Sequence, residues 1–420
     1  MKKTAVFGTV LLIGFALAGC SKKAKAESTT MKILLSEEPS DTDSLATAFH
    51  DWEAATGNKA DIMVIPYDDQ LTKFPAMAKN NDLPDLIATT RLHQLYPEEF
   101  VDLSTVVDMN KFEATAEKIV GKAYKSDKIT GLVYQFTTTN MYYNKDAFSK
   151  AGITPPTDAA PWTWDELYAN AAKIQKSGAV KYGFAADTSR ARYDILMYAN
   201  GGSLVEKSGD TFVITVNSPA NVATLTRFVQ ANKEVMPKAI WSGGTTDNPA
   251  DYFKNGDVAI YLSGSWNYNG FSHDIKNFKF GVMPTPKGTV SQAAIIGGTA
   301  LAVPKNAKNT TLAESFLKWF YDPVNYQKYL NNEKGLSGVT GIVYQPESDD
   351  AKADFAELQQ EVKHVTDTSM VDESSAWRTY LDNEYRDNLK RAVAGELTPQ
   401  QALDDFAKNL SAKSGWTIKQ

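Results

Sequence analysis

The chain has 420 residues, 43% of them hydrophobic and 22% charged, with 44 basic against 50 acidic side chains and a single cysteine. Its length allows two or three domains with cores of their own, and its apolar, glycine and proline contents are those of a globular chain, neither disordered nor fibrous. A formal charge of −6 without long basic runs argues against a nucleic-acid surface. One thiol excludes intrachain disulfides and a four-cysteine zinc site, and the histidines at 50, 93, 273 and 364 lie far apart.

The chain opens MKKTAVFGTVLLIGFALAGC. Lys2 and Lys3 form a positive leader, and residues 4–18 are an apolar stretch too short to span a bilayer comfortably. The run Leu17-Ala18-Gly19-Cys20 resembles a bacterial lipobox, which implies cleavage before Cys20 and lipidation of that cysteine. The polar tract after it, SKKAKAESTT, reads as a tether. The expectation is a signal peptide over 1–19, a lipidated tether over 20–30, and a protein held by acyl chains outside the cytoplasmic membrane. The plainer readings are an N-terminal membrane helix or an ordinary secretory signal with an incidental cysteine.

Residues 32–36 predict a first strand. A helix follows from about Asp43 to Ala55, with Leu45, Phe49 and Trp52 on one face and Gly57 as its stop. Strand, helix and strand recur at 61–67, 71–79 and 84–90. Apolar strands alternating with amphipathic helices predict an α/β protein with a mostly parallel sheet covered on both faces. After about 138 the chain changes neighbourhood, with a short strand at 141–143 and a proline-rich connector, AGITPPTDAAPW. Thr163 with Glu166 forms a capping box for a helix that ends at Gly178. A strand near 181–185, a turn at 200–202, a helix at 219–232, a strand at 257–262 and a return strand at 299–303 come next. Helices are expected near 311–321, 323–331, 351–365, 375–393 and 399–411, the last opened by a second capping box, Thr398 with Gln401.

Four stretches carry a family likeness. The first joins Tyr143-Asn144-Lys145-Asp146, Lys150-Ala151-Gly152-Ile153 and Thr163-Trp164-Asp165-Glu166-Leu167. The second runs from Phe253-Lys254-Asn255-Gly256-Asp257 to Gly264-Ser265-Trp266. The third is Gly297-Gly298 through Ala302-Val303-Pro304, and the fourth Gly395-Glu396-Leu397-Thr398-Pro399-Gln400-Gln401-Ala402-Leu403. In this order, over about residues 31–412, they make the chain similar to the extracellular solute-binding proteins of bacterial ABC importers, in the carbohydrate-binding family that includes maltose-binding protein. The resemblance implies a type II periplasmic-binding-protein-like α/β fold: two lobes, a hinge and a ligand cleft between them. By that pattern 31–138 and 293–343 form the N-terminal lobe, and 139–292 and 344–420 the C-terminal lobe. It also implies a monomer that captures an oligosaccharide and hands it to ABC permease subunits at the outer face of the cytoplasmic membrane of a Gram-positive cell. No cofactor and no metal are implied.

A sugar presents apolar C–H faces and a rim of hydroxyls, so its site needs an aromatic plate and planar or bidentate polar groups. Trp266, in a Gly-Ser-Trp turn at a strand end, is the first candidate and matches the family's stacking tryptophan; the plain alternative is a wedge against Tyr268 and Phe271. Gly297 and Gly298 allow close backbone approach to a hydroxyl, or form a bulge at a hinge. Arg91 and Tyr67 lie at strand ends, where α/β crevices form, although Arg91 suits a surface ion pair equally. Glu37, Glu38 and Asp41 share the first strand-to-helix loop, where Asp41 has helix capping as its other role. Arg192 and Tyr193 fall where the family carries stacking aromatics, in a stretch whose local sequence departs from it. Trp241 is placed in a loop and Trp377 in a late helix, the latter equally suited to a core.

An enzyme of sugars would need two acids roughly 5–9 Å apart across the site, and the adjacent Glu37 and Glu38 make a poor pair. Nucleophile-elbow, phosphate-loop and zinc-protease motifs are absent from the sequence. Binding is therefore expected rather than catalysis, with a non-sugar solute such as a polyamine as the alternative ligand, kept open by the acidic first loop.

Overall fold

Successive residues of the first strand, β1 (Thr30–Leu35), enter two different cores. Met31, Ile33 and Leu35 pack with Phe49 and Trp52, while Leu34 packs on the opposite face with Ile65, Phe74 and Phe100. A strand buried on both faces in this way belongs to a sheet covered by helices on each side. The computed structural model describes residues 29–40, 43–124, 126–242 and 247–419. Cys20, the proposed leader and tether through residue 28, and Asp41 lie outside the described residues.

β1 pairs in parallel with β2 (Lys59–Val64) and β3 (Leu86–Thr89). The intervening helix Ser44–Thr56 is capped by Asp43, whose carboxylate accepts from the Ala46 amide at 2.8 Å, and ends at Gly57 in the left-handed region. Asp43 thus fills the capping role that the sequence offered to Asp41. The strand expected at 141–143 is the last part of a 13-residue strand, β4 (Leu132–Asn144). Its polar middle, Thr137–Asn140, hides it from hydrophobic periodicity, yet these residues are buried and β-branched threonine suits a pleated strand.

β4 carries the chain across the molecule. Through Thr138 it pairs antiparallel with β10 (Ile296–Ala302); from Thr139 it pairs with β8 (Val258–Gly264) and from Met141 with β9 (Phe280–Met283). At the changeover the Thr139 hydroxyl accepts from the Ile295 amide at 3.0 Å and the Thr139 amide donates to the Ile295 carbonyl at 2.9 Å. One eight-stranded sheet results: seven strands run in the order β2-β1-β3-β10-β4-β8-β5, with β5 (Tyr182–Ala186) at the far edge, and β9 pairs with β4 off this path. A hairpin of β6 (Val205–Ser208) and β7 (Thr211–Ile214), extended by β11 (Thr417–Ile418), makes a small second sheet.

The apolar residues fall into separate cores on the two sides of the changeover. One unites Phe49, Trp52, Leu301, Phe316 and Phe320; the other unites Tyr142, Phe184, Phe228, Ile260, Leu389 and Phe406. Both capping boxes are present, Thr163 with Glu166 and Thr398 with Gln401. The helix Asp349–Glu361 contacts both halves. Its Phe355 and Leu358, with Tyr344, pack in the first core, because its apolar face turns that way while its acids turn to the other side. Asp354 accepts from the Val282 amide at 3.0 Å, and buried Glu361 accepts from the Thr285 amide at 2.7 Å. Among the described residues no helix is long and apolar enough to cross a membrane.

Candidate ligand-binding cleft

Between the two cores runs a cleft with two adjoining compartments of about 580 and 540 Å³. Each falls within the range of roughly 300–1,000 Å³ typical of small-ligand sites. Trp266 and Asp187 line both, so they stand at the junction. Trp266 follows β8 directly and is 40% exposed, against complete or near-complete burial for most large aromatics of this chain. Gly264 explains the placement: a Cβ there would overlap the six-membered ring of Trp266, so only glycine lets the indole fold back over the strand end.

The polar groups around this indole are ordered by one another. The Arg192 guanidinium lies 4.8 Å from the ring centroid and its Nε donates to Asp187 at 3.0 Å. Asp187 also accepts from the Ser263 hydroxyl at 2.6 Å, and Ser263 accepts from Asn267 Nδ2 at 2.8 Å. Sequence reading missed Asp187. Its position one residue beyond β5, at a strand end where α/β crevices form, was the available signal.

The first compartment has a wall of paired charges. Arg91, in the loop after β3, is held there by Thr89, whose hydroxyl accepts from the Arg91 and Leu92 amides at 3.3 and 3.1 Å. Its side chain crosses the cleft to form an ion pair with Asp382, rather than with a surface carboxylate. Asp382 also takes Arg190 at 3.3 Å and Arg378 at 3.5 Å. Arg190 holds Glu373 through two bonds of 2.8 and 2.9 Å and Asp194 through one of 2.5 Å. Burial pushes Glu373 up, but the charges of Arg190 and Arg378 outweigh it and hold the carboxyl below its ordinary value. The lining also includes Thr137–Thr139 of β4 and, from Ile295 into the start of β10, Ile295–Gly298. The hydroxyls of Thr90 and of nearly fully buried Thr138 are enclosed without a hydrogen-bond partner among the described residues. Gly298 is required by close packing, since a Cβ would strike the Gln135 carbonyl, whereas a Cβ at Gly297 would make only ordinary contact with the Thr137 hydroxyl.

The second compartment is lined by Glu37, Glu38, Asp43, Tyr134, Asn248, Asn267, Asn269 and Glu333, among others. Burial pushes the Glu333 carboxyl up to about 7, although Gln135 Nε2 donates to it at 2.7 Å. Glu37 and Glu38 are exposed.

Of the residues singled out from sequence, the structure therefore brings Trp266, Arg91, Arg192, Gly297, Gly298, Glu37 and Glu38 to one cleft. Three are corrections. Tyr193 is fully buried, donates its hydroxyl to the Asn221 carbonyl at 3.2 Å and packs edge-on against Phe228. Trp241 lies in the short helix Lys238–Trp241, not a loop, and is fully buried with its N–H on the Ala186 carbonyl at 3.0 Å. Trp377 is fully buried as well, its N–H on the Asp372 carbonyl at 3.0 Å, and it acts from beneath by supporting Arg190 at 5.0 Å. Their polar atoms are spent inside the protein, as buried indoles and phenols require. Tyr67 starts the helix Tyr67–Lys79, and its side chain lies outside the described residues. Among the described residues no group of three His, Cys, Asp or Glu side chains is placed to hold a metal ion.

Two α/β halves joined by crossing strands, with a polar cleft that holds an exposed indole between them, are the architecture of a solute-binding protein. Residues 36–327 match the family described as bacterial extracellular solute-binding protein, and the chain belongs to that family. A relative from Shigella dysenteriae, an sn-glycerol-3-phosphate-binding periplasmic protein, is 26% identical over 96% of both chains. The arabinooligosaccharide-binding protein of Bacillus subtilis is 23% identical over 82% of this chain and 78% of its own. In fold the chain is similar to an ABC substrate-binding protein of Listeria monocytogenes solved with cycloalternan, at a TM-score of 0.77 and 23% identity, covering 93% of this chain and all of the other. Maltose-bound MalE3 of T. maritima gives the same TM-score at 18% identity, covering 91% of this chain and 99% of its own.

Proposed function

We propose that this chain is the substrate-binding component of an ABC sugar importer, capturing an oligosaccharide between its lobes and delivering it to a membrane permease. The observation that carries the reading is Trp266, an exposed indole at the junction of two compartments, ringed by a fixed series of side-chain donors and acceptors. An apolar plate with a planar polar rim is what a pyranose face and its hydroxyls require. Two compartments meeting at that plate favour a chain of sugars over a single one. Relatives and fold neighbours that take an arabinooligosaccharide, cycloalternan or maltose support the same class of ligand.

In this reading the chain binds and does not catalyse. It acts as a monomer, carries no cofactor, and is anchored through lipid on Cys20 at the outer face of the cytoplasmic membrane. The lobes comprise 31–138 with 293–343 and 139–292 with 344–420. A linear polyamine is the second reading, favoured by the carboxylates Glu37, Glu38, Asp43 and Glu333 in the second compartment. Calorimetric titration of neutral α- and β-linked di- to tetrasaccharides, with spermidine alongside, decides between them. Saturable heat with an oligosaccharide and none with spermidine is the expected result; the reverse pattern would replace the sugar reading.

A further inference from the structure

We infer that the cleft discriminates by charge, accepting uncharged glycans and rejecting anionic ones, with the loop residues Glu37 and Glu38 as the discriminating side chains. The inference rests on the sugar reading and deepens it. It follows from the different charge balance of the two compartments.

In the first compartment arginines are abundant, which at first sight suits a phosphate or a carboxylate. Yet Arg91, Arg190, Arg192 and Arg378 are already engaged by Asp382, Asp194, Glu373 and Asp187, so the four cations meet four carboxylates. Arg386, also on this wall, has an interaction of its own. An anion entering here would have to displace an internal carboxylate from a buried pair, leaving that carboxylate uncompensated, which is costly.

The second compartment has no lysine or arginine in its lining among the described residues. Arg192, stacked on the Trp266 ring at its edge, is taken by Asp187. Asp43 is committed to capping its helix, whose N-terminal dipole offsets part of its charge. Glu333 is drawn toward neutrality by burial. Glu37 and Glu38 remain as exposed carboxylates with no such offset, at the mouth of the compartment. Their field opposes a phosphate, sulfate or uronate group, and repulsion of the wrong ligand is an efficient source of specificity.

The test takes the neutral oligosaccharide bound best in the panel above, its counterpart bearing a terminal uronate, and sn-glycerol 3-phosphate. Titrations of the wild type and of the double variant Glu37→Gln/Glu38→Gln are run at low and moderate salt. The neutral ligand is expected to bind at least about tenfold more tightly than the uronate, with a gap that narrows severalfold in the double variant and on raising salt. Both substituted side chains are exposed, so the variant keeps its fold. Equal or tighter binding of the uronate, or a gap indifferent to the double variant and to salt, overturns the charge filter and leaves the sugar reading standing. Binding of sn-glycerol 3-phosphate with no response to any glycan overturns both.

Discussion

The two compartments that meet at Trp266 are built on opposite principles. One is lined by arginines and carboxylates that satisfy each other, buried and cross-linked from Arg91 on one half to Asp382 and Arg190 on the other. The other is lined by amides and, apart from Asp187 at the junction, by acids without an arginine or lysine in the lining, Glu37 and Glu38 of them on the exposed loop after β1. The first is therefore a rigid wall, whose geometry is set before any ligand arrives. The second is a softer, negatively charged wall. Preorganised groups give affinity by reducing the cost of ordering, while an unneutralised field gives selectivity, so the cleft separates these two tasks on either side of one indole.

The largest effect that would break this contrast is expected from Asp382→Ala. The change removes the carboxylate shared by Arg91, Arg190 and Arg378, and should cost about 2–4 kcal/mol in denaturant unfolding, since buried cations lose a partner. A loss below about 0.5 kcal/mol would mean that the network is ornamental. A smaller effect sharpens the other side. The Glu333 carboxyl sits above its ordinary value in the folded chain, so its stabilising contribution is complete below the unfolded value and is lost as pH rises through about 7. Glu361, pushed up to about 8 by burial, acts in the same direction. Thermal midpoints should therefore fall by several degrees between pH 5 and pH 8. Glu333→Gln should recover about 2–4 °C at pH 8 while changing little at pH 5. A midpoint that rises over this interval would contradict the assignment of these acids.

Much of this arrangement was legible in the residues. Strand–helix alternation, both capping boxes and the Gly264-Ser265-Trp266 turn are local features, and local features are read correctly because neighbouring residues alone decide them. The helix Arg190–Ala199 was not, because a start of the form Arg-Ala-Arg-Tyr-Asp looks solvated when only Asp194, one turn on, shows as a partner. Its partners, Glu373 and Asp382, arrive about 190 residues later in the chain. A still longer separation conceals Asp382 as a cleft residue, 291 positions from Arg91. Trp241 and Trp377 show the complementary error. An indole in a glycine-rich or polar stretch looks free until tertiary contacts bury it and a backbone carbonyl takes its N–H. Only Trp266 combined a strand end with a glycine that its ring needs, and that pairing separates a plate for a ligand from a wedge in a core.

The central claim, that the cleft is organised around a stacking indole for a neutral oligosaccharide, is tested most directly by titrating that ligand into the wild type and Trp266→Ala side by side. Loss of at least about 2 kcal/mol of binding free energy, roughly thirtyfold in Kd, with an unchanged thermal midpoint is the predicted result. Undiminished affinity in Trp266→Ala would contradict it.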